Sequence, residues 1–169
     1  MSIEESVDVD VPVRVAYNQG TQFECFPRFL PGVRRVDRPQ PTLTHWVTTY
    51  RGITREFDTE VVDQRPDERL AWRVRGRNPR TGAVLFRALG PDRCRLTLRV
   101  DHTPGGPLRR AASSPALLRR RIRHGLECFK EFIEGQGHET GTWRGTISGG
   151  HVLPGSGQDR PRVPTWPTG

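Results

Sequence analysis

Between Val33 and Val100 the chain keeps one side-chain parity apolar in segment after segment, and turn residues separate those segments at short intervals. Phe57, Thr59 and Val61 face one way, with Glu56, Asp58 and Glu60 opposite; Leu70, Trp72 and Val74 oppose Arg73 and Arg75. Val84 and Phe86 follow, and Leu96, Leu98 and Val100 oppose Thr97, Arg99 and Asp101. Side chains alternate between the two faces of a strand, so each segment reads as a strand with one buried face. The breaks are Arg38-Pro-Gln-Pro, Arg51-Gly, Arg65-Pro-Asp, Asn78-Pro-Arg-Thr-Gly and Gly90-Pro-Asp. They are too short for crossover connections, so the strands form an antiparallel meander, wet on one side and apolar on the other. The segment from Leu43 to Tyr50 is left open, because Leu43, His45 and Val47 compete with Trp46 and Tyr50 for the inner face.

Two further signals frame the meander. Ile3, Val7, Val9 and Val11 form a strand face in front of it, with Glu5 the one charged residue of that parity. Pro12 then opens a short helix carrying Val13, Ala16 and Tyr17, and Gly20 ends it. Phe23, Phe26, Phe29 and Leu30 make a second short helix, interrupted by Pro27 and closed by Pro31-Gly32. Behind the meander, Ser114 reads as an N-cap and Pro115 as a first helical residue. Leu118, Ile122, Leu126, Phe129 and Ile133 then form one continuous helical stripe, opposite Arg119, Arg120, Arg123, Lys130, Glu131 and Glu134. The inner face of the sheet is the one apolar surface large enough to bury that stripe. The expected fold is α+β: a curved antiparallel sheet of about seven strands wrapped around a long C-terminal helix, with a helical corner after the first strand.

A length of 169 residues suits one domain, placed at residues 1–137. From His138 to Gly169 the chain is rich in Gly and Pro and lacks aliphatic periodicity, which predicts a disordered tail with Trp143 and Trp166 as incidental aromatics, docking anchors being the alternative. Apolar runs fall far short of the roughly 18 residues that cross a bilayer. The start, Met1-Ser-Ile-Glu-Glu, lacks the basic and apolar regions of a secretory signal. Cys25, Cys94 and Cys128 are widely spaced without a CxxC pair, which suggests reduced thiols and a cytoplasmic location. The net charge is +8, yet Lys130 is the one lysine beside 26 arginines. That bias points to coding preference, and nucleic acid is not an expected partner.

A straight helix cannot fill a strongly bent sheet, so a pocket is expected between them. Its apolar walls would be Phe57, Trp72, Phe86, Leu98 and Phe129, joined by Phe26 and Phe29 from the corner. Glu5, Thr59, Tyr17 and His102 are the polar candidates. The alternatives are that the aromatics fill a core and that Glu5 pairs with an arginine at the rim.

The order of elements, and several phrases, resemble the polyketide cyclase/dehydrase and lipid-transport branch of the START-like (SRPBCC, helix-grip) superfamily, of the coenzyme Q-binding type. The phrases are the run from Ile3 to Asn18, Phe23-Glu-Cys-Phe-Pro-Arg-Phe-Leu-Pro-Gly-Val, Arg55-Glu-Phe-Asp-Thr-Glu-Val, Arg69-Leu-Ala-Trp-Arg and Phe129-Lys-Glu-Phe-Ile-Glu. The resemblance covers residues 1–137 and implies a helix-grip fold with a deep apolar cavity, but it brings no catalytic motif. Gly20 stands where relatives commonly carry a large aromatic, which implies a wider cavity mouth.

Two functions fit these readings. The first is binding or transport of a small hydrophobic ligand such as a lipid, isoprenoid or polyketide, driven by apolar burial. Arg109, Arg110, Arg119, Arg120 and Arg121 would then favour peripheral contact with an anionic membrane. The second is a polyketide aromatase/cyclase or dehydratase, in which the cavity folds a poly-β-ketone chain and one residue moves a proton. Glu5, Tyr17, Tyr50, Arg55 and His102 are the candidates; Glu5 is the sharpest, since burial of a carboxylate would raise its pKa. His124 and Cys128 are too few to hold a structural zinc. No motif calls for ATP, a nicotinamide or a metal, and no cofactor is expected.

Overall fold

The computed structural model describes residues 2–76, 80–101 and 115–154. The helical corner consists of α1 (Val13–Gly20) and a 3-10 helix (Phe23–Arg28) that follow β1 (Ser2–Val9). The meander is β2 (Val33–Gln40), β3 (Leu43–Tyr50), β4 (Ile53–Arg65), β5 (Arg69–Val74), β6 (Thr81–Gly90) and β7 (Arg93–Asp101). The helix α2 (Pro115–Gln136) comes next, then two short strands, β8 (Ile147–Ser148) and β9 (His151–Val152).

The seven long strands pair in the order β1-β7-β6-β5-β4-β3-β2, antiparallel throughout, as the turn chemistry requires. Arg51 and Gly52, both at positive φ, make the two-residue turn between β3 and β4, a geometry that matches strand twist. One boundary differs from the sequence reading. Arg38-Pro-Gln lies inside β2 rather than in a turn, and the register shifts between Asp37 and Gln40. An edge strand tolerates a proline because one row of its N–H groups has no ladder partner.

The helix α2 runs beside β1 in the same direction. Arg119 and Arg123 near its start reach Glu5 on β1 at 3.2 Å, Lys130 donates to the Asp8 carbonyl at 2.8 Å, and Glu134 accepts the Asp10 N–H at 2.9 Å. Ile122, Leu126, Phe129 and Ile133 are buried, as the stripe predicts. Each contributes about 1.5–3 kcal/mol. The convex face is laced with exposed pairs such as Asp8–Arg95 and Glu4–Arg99, whose attraction solvent largely screens.

The expectation of a disordered tail from His138 does not hold for residues 138–154. Glu139 accepts from Asn18, the Thr140 N–H donates to Gln19 Oε1, and the Trp143 N–H donates to Thr21 Oγ1. Arg144 reaches Asn18 and forms a two-pronged pair with Asp67, while Ile147 is wholly buried beside Gln64 of β4. This segment is a strap across α1. Its glycines disfavour a helix, but Asn18, Gln19 and Thr21 are buried polar groups that need partners, and the strap bonds to each of them, leaving Gln19 Nε2 without a partner among the described residues. Residues from Gly155 onward, including Trp166, lie outside the described residues, as do the Asn78-Pro turn, Ser114, Arg109 and Arg110.

Candidate functional site

Two ends of the concave face differ in how well they are covered. At the end beneath α1, Val9, Leu70, Phe86, Cys94 and Leu96 are buried, and Ile133 of α2 closes over them. Toward the other end, Phe57, Trp72, Val74, Val84, Leu98 and Val100 remain half-buried although all have the inward parity. Ile3, next to α2, is 1% exposed. The helix therefore covers the β1 side of the bowl and leaves apolar surface on the strands beyond it.

Aromatic side chains wall this half-covered region. Trp46 and Phe57 are directly opposed in the β3–β4 register and stack nearly parallel, with centroids 6.1 Å apart. This places Trp46 on the inner face and settles the alternative left open for β3. His45 takes the outer face, 2.6 Å from Asp58. Phe26 leans on Trp46 at 5.8 Å and contacts Phe29 edge-on; Phe29 in turn touches Phe129 at 5.5 Å and Phe132 at 4.7 Å on α2. The structure thus joins predicted residues Phe26, Phe29, Phe57 and Phe129 in one continuous wall, to which it adds Trp46 and Phe132. Trp72 lies flat across Gly82, its register partner, where an added Cβ would come within 2.4 Å of the indole. Phe86 belongs to the packed end, edge-on to Tyr17 at 5.2 Å.

The polar atoms of the wall satisfy one another. The Trp46 indole N–H donates to Thr44 and Thr59 hydroxyls at 3.1 Å each, and the two hydroxyls are bonded together. Thr59 thus serves the wall itself. Buried groups paired in this way present an apolar surface rather than a polar handle.

The catalytic candidates do not form one cluster. Glu5 is 10% exposed and held by the Arg119 and Arg123 guanidiniums at 3.2 Å, the rim pairing recognised as its alternative. Tyr17 is fully buried at the packed end; its hydroxyl accepts from Gln64 Nε2 at 3.0 Å, and burial raises its pKa. Arg55 is exposed on the concave side, in register with Thr48 and between Ile53 and Phe57 in parity, with no ion pair among the described residues. Tyr50 stands at the hairpin tip, 39% exposed. His102 lies outside the described residues. An added Cβ on Gly20 would meet Phe86 at 3.4 Å, so this glycine lets α1 approach the packed end.

A concavity of about 320 Å³ lies between the strap and β2, lined by Thr21, Phe23, Cys25, Arg38, Gln40 and Trp143; Phe23 meets Phe26 of the wall edge-on at 5.3 Å. The Arg38 guanidinium is sandwiched between the Phe23 and Trp143 rings at 4.8 and 5.0 Å and donates to the Pro41 and Thr21 carbonyls. Burial brings its pKa down to about 10, so it stays charged at neutral pH. Sequence reasoning missed this latch, which fastens the strap to the sheet.

A bent antiparallel sheet gripping one long helix, with an aromatic wall left half-covered, defines a helix-grip protein. The match of residues 9–130 to the model for "Polyketide cyclase / dehydrase and lipid transport" shows that the chain belongs to that family. It is 44% identical over 146 residues to a curated uncharacterized 17.2 kDa protein of Streptomyces lincolnensis, covering 86% of this chain and 97% of that one. Among solved structures it is similar to the Zhui aromatase/cyclase of Streptomyces sp. R1128, at a TM-score of 0.67 and 15% identity, covering 84% and 98% of the two chains. A START superfamily protein from Mycobacterium smegmatis superposes with a TM-score of 0.62 at 15% identity, covering 80% and 95%. At such identities the structures establish a shared fold. No helix among the described residues is long and apolar enough to cross a membrane.

Proposed function

We propose that the protein binds a small hydrophobic molecule, a lipid, isoprenoid or polyketide-like compound, against the half-covered aromatic wall between the sheet and α2. One observation carries this reading: Phe57, Trp72, Val84 and Leu98 point inward yet are only half-buried, beside a Trp46–Thr44–Thr59 cluster whose polar atoms are already paired. Covering that surface is favourable at about 25 cal/mol per Å² and needs neither acid nor base. Native mass spectrometry of freshly purified protein tests it directly. A co-purifying apolar mass, released on unfolding, is expected; protein that stays bare and takes up no lipid, quinone or polycyclic compound on incubation overturns the reading.

Ring closure or dehydration of a poly-β-ketone chain is the second reading, and Arg55 favours it. Its guanidinium shares the concave parity of Phe57 and lacks an ion-pair partner among the described residues, so it is placed to polarise a carbonyl of a chain lying on the wall. Glu5 and Tyr17 already hold partners in the resting protein. Arg55→Gln and Glu5→Gln separate the classes: an enzyme loses turnover with ligand affinity retained, whereas a binding protein changes in affinity alone.

A further inference from the structure

The tip of the β3–β4 hairpin carries the most exposed large apolar side chain of the described residues, Ile53, at 60%. Its register partner is Tyr50, also exposed. Two guanidiniums lie over the Tyr50 ring, Arg121 of α2 at 4.2 Å and Arg51 of the turn at 5.3 Å. Neither forms an ion pair among the described residues. By contrast, Arg119 and Arg123, on the β1 side of the same helix, share the single Glu5 carboxylate. The hairpin and the start of α2 thus converge on a small apolar knob flanked by uncompensated positive charge.

We infer that this tip is a docking surface for an anionic lipid bilayer, with Ile53 entering the acyl boundary, Tyr50 at headgroup level and Arg51 and Arg121 on lipid phosphates. Two apolar side chains are too little for a stable protein interface, which takes about 800 Å² per partner. They suit a bilayer, where a tyrosine sits well at the interface and basic residues are drawn to anionic headgroups. The chain's net charge of +8 acts in the same direction. The tip borders the aromatic wall through Phe57, so docking here would bring the proposed ligand surface to the membrane.

Sedimentation of the full chain with vesicles of phosphatidylcholine alone, or mixed with phosphatidylglycerol, tests the inference. Binding to the mixed vesicles only, weakened by high salt, is expected. Ile53→Ser should weaken it about tenfold or more, and Arg51→Ser with Arg121→Ser about thirty-fold. Arg87→Ser, removing an exposed charge from the convex face of β6, should change it about twofold or less. Circular dichroism confirms that each variant is folded. Absence of binding to the mixed vesicles overturns the proposal, as does a loss at Arg87 equal to the loss at the tip, which would mean attraction by net charge alone. Vesicle binding is read without ligand and ligand retention without vesicles, so either reading can fail by itself.

Discussion

Replacing Trp143 by alanine removes the strap's main anchor. The half-buried indole packs against the core and covers one face of Arg38, while the backbone N–H of the same residue holds Thr21 Oγ1 at 3.0 Å and survives the substitution. Truncating a fully buried large aromatic costs about 3–5 kcal/mol. Half of that, with about 0.5–1 kcal/mol for the lost cation–π contact, gives about 2–3 kcal/mol. For a domain of this size the melting temperature should fall by about 5–10 °C. Differential scanning calorimetry measures the change, and urea titration at constant m-value checks that the folded and unfolded states are otherwise comparable. Truncation after Gly137 should destabilise more, because it also uncovers Asn18, Gln19 and Thr21. A Trp143→Ala protein melting within about 2 °C of the parent would refute the docking of the strap.

Two further outcomes follow from the titrating groups. Burial pushes the Glu134 carboxyl up, but its bonds to Lys130 and the Asp10 N–H outweigh this and leave it below its ordinary 4.5. The unfolded chain therefore binds more protons in acid, so stability present above about pH 4.5 falls as the pH drops through the folded value. Glu134→Gln should flatten that part of a urea-midpoint against pH curve, and an unchanged slope would contradict the pairing. Cys94 is fully buried, and burial pushes its thiol up to about 11, whereas Cys25 and Cys128 are half-buried. A disulfide reagent at neutral pH should titrate two thiols in the native protein and three in denaturant; three in the native state would show the packed end to be open.

Periodicity revealed most of the frame because each element buries a single face. The alternation at Leu70-Trp72-Val74 and Leu96-Leu98-Val100, and the stripe from Leu118 to Ile133, appear in the structure as read. Strand β3 resisted because both parities of Leu43–Tyr50 carry apolar residues, and only the cross-strand stack of Trp46 on Phe57 decides between them. The strap escaped for a different reason. It is held by hydrogen bonds to Asn18, Gln19 and Thr21, by Trp143 stacked on Arg38 and by one buried isoleucine, and none of these leaves a periodic trace. Phe132 lies off the helical stripe and meets Phe29 of the corner, a contact that depends on tertiary placement. Glu5 was recognisable as anomalous on an apolar face; that two arginines of α2 hold it required the helix to be set beside β1.

A neutral phenylnaphthylamine dye, titrated into the native protein and into Val84→Trp, probes the uncovered apolar surface beyond α2 most directly. In the native protein, one saturable site with quenching of tryptophan emission from Trp46 and Trp72 is the predicted result. Val84→Trp should abolish that site while losing less than about 1 kcal/mol, since the new indole enters space rather than a packed core. A native protein that binds no dye, or a Val84→Trp variant destabilised by about 3 kcal/mol, would mean that the interior is already full.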